Sequence, residues 1–186
     1  MRHERAVEKV HERMVRTARA LEAAGIPYAV IGGNAVAAWV GSKDPGAIRN
    51  TKDVDILLQR PDLQQAAAAM SAAGFDLAEV SGVTMFLDRE DPMPSRAVHI
   101  IFAGEKIKST DPCPAPPVKV GIRTPDDVNA IGLPELLVLK LIPFRDIDRV
   151  HIRDMIHVGL IDDALAGRIP PELRPRLEEI RANPDG

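Results

Sequence analysis

The chain has 186 residues, 45% of them apolar, which is enough for one well-buried core and close to the usual size of a single domain. A net charge of −3 and a pI near 6.0 exclude any general attraction to a polyanion, and an aromatic content of 3% is too low for a base-stacking platform. The lone Cys113 excludes an internal disulfide and fits a reducing compartment, while no apolar run approaches the roughly 20 residues of a bilayer span, so a soluble, cytoplasmic protein is expected.

Residues 4–24 are expected to form an amphipathic helix, because Val7, Val10, Met14, Ala18 and Leu21 recur at helical spacing and Gly25 follows as a stop. This stretch is charged throughout and reads as neither a secretion signal nor a membrane anchor. Residues 28–31 favour a strand that ends at Gly32-Gly33. A second helix is expected from Asn34 to about Val40, with Trp39 packing it against the sheet. Residues 41–50 read as loop, and 54–58 as a buried strand.

Pro61 opens a third helix that runs through core-filling alanines to Ala73, with Gly74 as its cap. Further strands are expected over 75–80, 84–87 and 97–102. A proline-dense irregular segment over 108–117 follows, then a last strand over 118–122. From Thr124 the sequence predicts helix, since Thr-Pro-Asp-Asp combines an N-cap, a proline at the first helical position and first-turn carboxylates. Residues 133–145 are apolar nearly all round and predict a buried helix; two more helices are expected over 149–158 and 171–181, with His157 as a packing residue. The expected fold class is α/β (α+β): a mixed sheet flanked by helices over residues 1–122, followed by a helical segment, 123–186, packed on it.

The chemistry concentrates in Gly32-Gly33-Asn34-Ala35 and, after the loop, Thr51-Lys52-Asp53-Val54-Asp55. A strand running through a glycine pair into a helix lets an anion approach the backbone and meet the free N–H groups of the helix N-terminus. Asp53 and Asp55 are separated by one residue at a strand start, so both carboxylates leave one face and repel unless a cation sits between them. Hard oxygen ligands select Mg²⁺ or Mn²⁺. A phosphate seat facing a divalent-cation seat is what phosphoryl or nucleotidyl transfer requires.

Strand, Gly-Gly, short helix and then Thr-x-Asp-x-Asp resembles the DNA polymerase β-type nucleotidyltransferases, and more narrowly their small bacterial members such as the AbiEii-type toxins of toxin–antitoxin systems. The likeness is close over residues 26–60. A looser one takes in Lys140, within Leu-Pro-Glu-Leu-Leu-Val-Leu-Lys, ahead of Arg145 and Asp148. The resemblance implies a nucleoside triphosphate held by Gly32, Gly33, Asn34, Thr51 and Lys140, with Asp53 and Asp55 as metal ligands. The nucleotidyl group would go to an unidentified acceptor: a small molecule, an RNA end or a protein side chain. Lys140 also reads as an ordinary lysine with its stem among leucines and its head in water.

The resemblance also implies a third carboxylate on a later strand, and there the sequence departs. The expected position in Arg96-Ala97-Val98-His99-Ile100 holds His99. Three readings follow. His99 marks lost catalysis, imidazole being a poor Mg²⁺ ligand; or His99 is a catalytic base; or it only hydrogen-bonds, and Asp88 or Glu105 supplies the third acid. The chain is accordingly either a working transferase or a catalytically degenerate protein of the same fold that acts as a binding or regulatory subunit. Downstream, His151 and Asp154 share a helix face and suit either a metal-ligand pair or a surface salt bridge. Cys113, in a stiff proline-rich loop without a base nearby, is expected to be unreactive.

Overall fold

The structure, a computed structural model, describes residues 2–184 and 186, with side chains from residue 7 onward. Seven strands, β1 (Tyr28–Val30), β2 (Val54–Leu58), β3 (Phe75–Val80), β4 (Val83–Asp88), β5 (Val98–Phe102), β6 (Val120–Arg123) and β7 (Asn129–Ile131), form one sheet in the order β3-β4-β5-β2-β1-β7-β6. The sheet is mixed. β2 pairs parallel with β5, and β1 parallel with β7, while the other neighbours are antiparallel.

Helices α1 (Arg2–Ala23) and α3 (Leu63–Ala72) cover one face; α2 (Gly32–Gly41), α4 (Leu133–Leu141), α5 (Asp146–His157) and α7 (Arg174–Ala182) build the other, with a short α6 (Asp163–Ala166) between α5 and α7. The period of two along a strand decides which residue faces which layer. In β2, Val54, Ile56 and Leu58 pack toward α1 and α3, and in β5, Val98, Ile100 and Phe102 do the same. Leu57 and Ile101 pack with the opposite cluster, so Asp55 and His99, which share their alternation, lie on the α2–α4–α5 side. On that side α4 is buried from Leu136 to Leu141, as its all-round apolar sequence requires.

One expectation fails at Thr124. The residues 124–127 do not start a helix; they turn the β6–β7 hairpin. The Thr124 hydroxyl accepts from the Val128 N–H at 3.2 Å, the Thr124 carbonyl accepts from the Asp127 N–H at 3.0 Å, and Asp127 adopts φ +61°. Thr, Pro and Asp satisfy a tight turn with the same groups that would cap a helix, and pairing with β1 and β6 decides between them. The sheet therefore continues through β7 to Ile131, and helix resumes only at Leu133. Two smaller differences follow from Pro143 and from Phe144 at φ +51°, which end the helix that began at Leu133 early and let the next one start at Asp146. His157 lies exposed at the end of α5, not packed into the helix interface.

Tyr28 ties these parts together. It is 2% exposed, its hydroxyl donates to Glu22 of α1 at 2.9 Å and accepts from the Asn129 N–H of β7 at 3.3 Å. Burial, ahead of the neighbouring Glu22, pushes its pKa up, so the hydroxyl stays protonated. Tyr28→Phe removes both bonds and is expected to cost about 1–2 kcal/mol in urea unfolding at an unchanged m-value. A neutral result would show that β7 does not lean on this hydroxyl.

Candidate functional site

The register of the sheet builds the site. β1 and β2 pair so that the Ile31 N–H donates to the Asp55 carbonyl at 2.9 Å, which sets the Gly32-Gly33 turn directly over Asp55. Gly32 has φ +65°, and a Cβ there would overlap the Asp55 carboxylate. A Cβ on Gly33 would lie 2.9 Å from the Thr51 hydroxyl. Only glycines let this turn and the loop before β2 approach so closely. No side chain caps the N-terminus of α2, which leaves its first N–H groups to other partners. The Asn34 amide donates to the Asp53 carbonyl at 2.8 Å, so Asn34 holds the backbone of the loop that carries Asp53.

His99 lies opposite Asp55 in the parallel β2–β5 register. Its Nε2 donates to the Pro94 carbonyl at 2.9 Å, and its Nδ1 lies 3.4 Å from Asp55 Oδ1. The hydrogen bond to Asp55 raises the His99 pKa against the opposing effect of burial, with Pro94 and the charges of Asp55 and Asp53 adding to it. Burial, and then repulsion from Asp55, raise the pKa of Asp53. Asp53 is thus short of compensating positive charge. Nε2 is committed to the Pro94 carbonyl, so Nδ1, on the Asp55 side, is the ring nitrogen that faces the site.

The two alternative acids are committed elsewhere. Asp88 is buried against Arg13 at 3.4 Å and against Arg16. Glu105 lines the same cleft as Asp55, but Arg60 holds both its oxygens at 2.6 and 2.7 Å. Among the described residues no three His, Cys, Asp or Glu side chains cluster as a closed metal site. Asp53, whose pKa Asp55 raises, and Asp55 itself are the two carboxylates here that would hold a hard cation.

Helices α4 and α5 supply the opposite wall. Lys140 is 6% exposed, so it is not a lysine with its head in water; its Nζ lies 3.1 Å from Asp148 Oδ1. Arg145 reaches the same carboxylate, Nε to Oδ2 at 2.8 Å. Burial alone would raise the Asp148 pKa, yet the Arg145 hydrogen bond and the charges of Lys140 and Arg145 outweigh it and hold the group below the usual range. One turn on, His151 is 8% exposed, its Nδ1 has no partner, and its Cε1 lies 3.7 Å from where a Cβ on Gly33 would be. Asp154 follows, gripped by Arg49 through two hydrogen bonds of 2.6 and 3.1 Å. The salt-bridge reading of Asp154 is the one that describes it.

Gly32, Asp55, His99, Lys140, Arg145 and Asp148 all line one open cleft of about 360 Å³. Asp53, Gly33, Asn34 and Thr51, four of the residues singled out in the sequence, do not line that cleft. Arg49 went unnoticed in the sequence; its position two residues before Thr51 was the only local signal. Cys113 is buried with its pKa raised by burial, as expected of an inert thiol. Trp39 packs on the core and donates from Nε1 to the Ile131 carbonyl at 2.8 Å. No helix among the described residues is long and apolar enough to cross a membrane.

No protein-family model and no curated protein sequence matches the chain. Solved structures do. The solution structure of the antibiotic-resistance factor ANT(2'')-Ia is similar at a TM-score of 0.60 and 13% identity, covering 95% of each chain. The crystal structure of ANT(2'')-Ia in complex with adenylyl-2''-tobramycin gives 0.57 and 14%, over 94% of this chain and 98% of that one. An antigenic nucleotidyltransferase-like protein from Paracoccidioides brasiliensis gives 0.56 and 15%, over 96% and 90%. At these identities the likeness is one of fold: the chain has the nucleotidyltransferase fold, along nearly its whole length, and the resemblance read in its motifs holds at that level.

Two outcomes test the site's construction. Gly32→Ala is expected to lose more stability than Gly25→Ala: both residues have positive φ, worth roughly 1–2 kcal/mol of strain, but only at Gly32 does the added methyl meet a side chain. Equal losses would refute the close approach. Burial, followed by the charge of Lys140, lowers the His151 pKa to about 4, below its ordinary 6.5. The unfolded chain then binds the proton first, so stability falls as pH drops from about 6.5 toward about 4, with a slope of up to about 1.4 kcal/mol per pH unit. His151→Gln should flatten that slope in unfolding measured across pH.

Proposed function

We propose that the cleft binds a nucleoside triphosphate with a divalent cation and transfers its nucleotidyl group to an acceptor hydroxyl. The observation that carries this reading is Asp55 set against the glycine turn and uncapped N-terminus of α2 at an open cleft, with Asp53 two residues before it and close enough for Asp55 to raise its pKa. A Mg²⁺ or Mn²⁺ ion held by Asp53 and Asp55 would neutralise charge on the reacting phosphates. The chain's own residues do the rest. Gly32 and Gly33 let the turn close on Asp55 and Thr51, and the α2 N–H groups donate to the phosphates. Lys140 and Arg145, both anchored by Asp148, present positive charge from the facing wall. His99 fixes the Asp55 carboxylate from the side.

In this reading the acceptor oxygen bonds to the α-phosphorus while the bond to pyrophosphate breaks, and the hydroxyl proton leaves to water. The acceptor is a small molecule, an RNA end or a protein side chain. A solved structure of the same fold holds an adenylylated antibiotic, which makes small hydroxyl compounds the first to try. The narrower likeness to AbiEii-type toxins belongs to the same proposal, as does a cytoplasmic location.

A second reading has one observation in its favour: His99 stands where a third acid is expected, and the other two candidate acids are tied to arginines. The protein then binds nucleotide without turnover and serves as a binding or regulatory subunit. Calorimetric titration of each nucleoside triphosphate with Mg²⁺ or Mn²⁺ is the test. The wild type is expected to bind in a cation-dependent way, and Asp53→Asn/Asp55→Asn to lose that dependence. His99→Asp should tighten cation and nucleotide binding if the third charge is what the site lacks; weaker binding of both would overturn that explanation. No binding by the wild type would refute the proposal.

A further inference from the structure

Three residues on one face of α5 touch three separate parts of the cleft. Asp148 holds Lys140 and Arg145, His151 lies under the Gly33 turn, and Asp154 grips Arg49. The last contact joins α5 to the loop that precedes β2, across 105 residues of sequence. That loop carries Thr51, whose hydroxyl closes on Gly33, and Asp53, whose carbonyl is held by Asn34. The loop has no helix or strand from Ile48 to Asp53, so its course is fixed by these few side-chain bonds. Asn34 anchors its end and Arg49 its start.

We propose that the Arg49–Asp154 pair is a latch that sets the position of Asp53, making both positioning residues for the cation-bound nucleotide. The inference rests on the reading of Asp53 as a cation ligand. Two parallel N–H···O bonds fix orientation as well as distance, which a single contact would not. The pair is half in water, with Arg49 59% exposed and Asp154 17%, so it adds little to global stability. Its effect lies in where the loop stands. Because α5 also carries Asp148, the latch puts the loop's carboxylate and the facing cations on one rigid element, and the spacing between the two walls of the cleft follows from the helix.

The experiment uses the full chain as wild type, Arg49→Gln, Asp154→Asn and the exchanged pair Arg49→Asp/Asp154→Arg. Backbone ¹⁵N relaxation over residues 48–53 reads the latch directly and needs no nucleotide. Each single variant is expected to lower the order parameters there from about 0.85 toward 0.6, with thermal melting within a degree or two of wild type, and the exchanged pair to restore most of the rigidity. Calorimetry with ATP and Mn²⁺ then reads the consequence: about tenfold weaker binding in the single variants, recovered in the exchanged pair. Unchanged order parameters in Arg49→Gln overturn the latch. A loosened loop with unaltered ATP affinity overturns the positioning role. Wild type that binds no ATP refutes the functional reading and with it the nucleotide role, while the relaxation result still decides whether the loop is latched.

Discussion

The site rests on the closeness of Gly32 to the Asp55 carboxylate. The β1–β2 register brings the end of β1 alongside Asp55, and the chain must then turn into α2 without a side chain in the way. A positive φ and a missing Cβ at one residue allow both. From that closeness follow the position of the α2 N-terminus beside a carboxylate and the reach of Asn34 to the Asp53 carbonyl. With any other residue at 32, either the turn or the carboxylate would have to move, and the α2 N-terminus and Asp55 would separate.

Around this point the site is assembled from two layers with different tolerances. The sheet places Asp55 and His99 side by side through a parallel register that a single-residue slip would invert, so their pairing is as rigid as the core beneath. The helical wall arrives by side-chain contacts alone. Asp148 is fully buried and shared by two cations, a geometry in which neither partner can leave without stranding a charge. The Arg49–Asp154 contact is solvated and weaker. The cleft therefore has a fixed floor, a nearly fixed cationic wall, and a loop held by fewer bonds.

Much of this was legible in the sequence where local pattern and tertiary role coincide. The alternation in residues 54–58 and 97–102 placed Asp55 and His99 on one face, and the glycine pair marked the close approach. Thr124 to Asp127 misled because the groups that cap a helix also close a hairpin, and three-residue β7 is too short to announce itself against its neighbours. The burial of Lys140 was invisible in a run of leucines, since its partner Asp148 lies beyond a proline turn. Arg49 and Asp154 could not be paired from sequence at all: nothing local in either predicts a contact 105 residues away. His157 lies two residues past Met155, on the side of α5 turned away from the buried Asp148, His151, Ile152 and Met155.

The central claim is that Asp53 and Asp55 hold the cation of a bound nucleotide beside His99. Mn²⁺ titrated into the isotopically labelled protein with ATP, followed by NMR, tests it most directly, because the paramagnetic ion broadens only nearby signals. The account predicts early, selective loss of the His99 ring signals and of the amides of Gly32, Asp53 and Asp55, with His11 and His157 unaffected. Broadening centred elsewhere, or no broadening at His99 when ATP is bound, would contradict it.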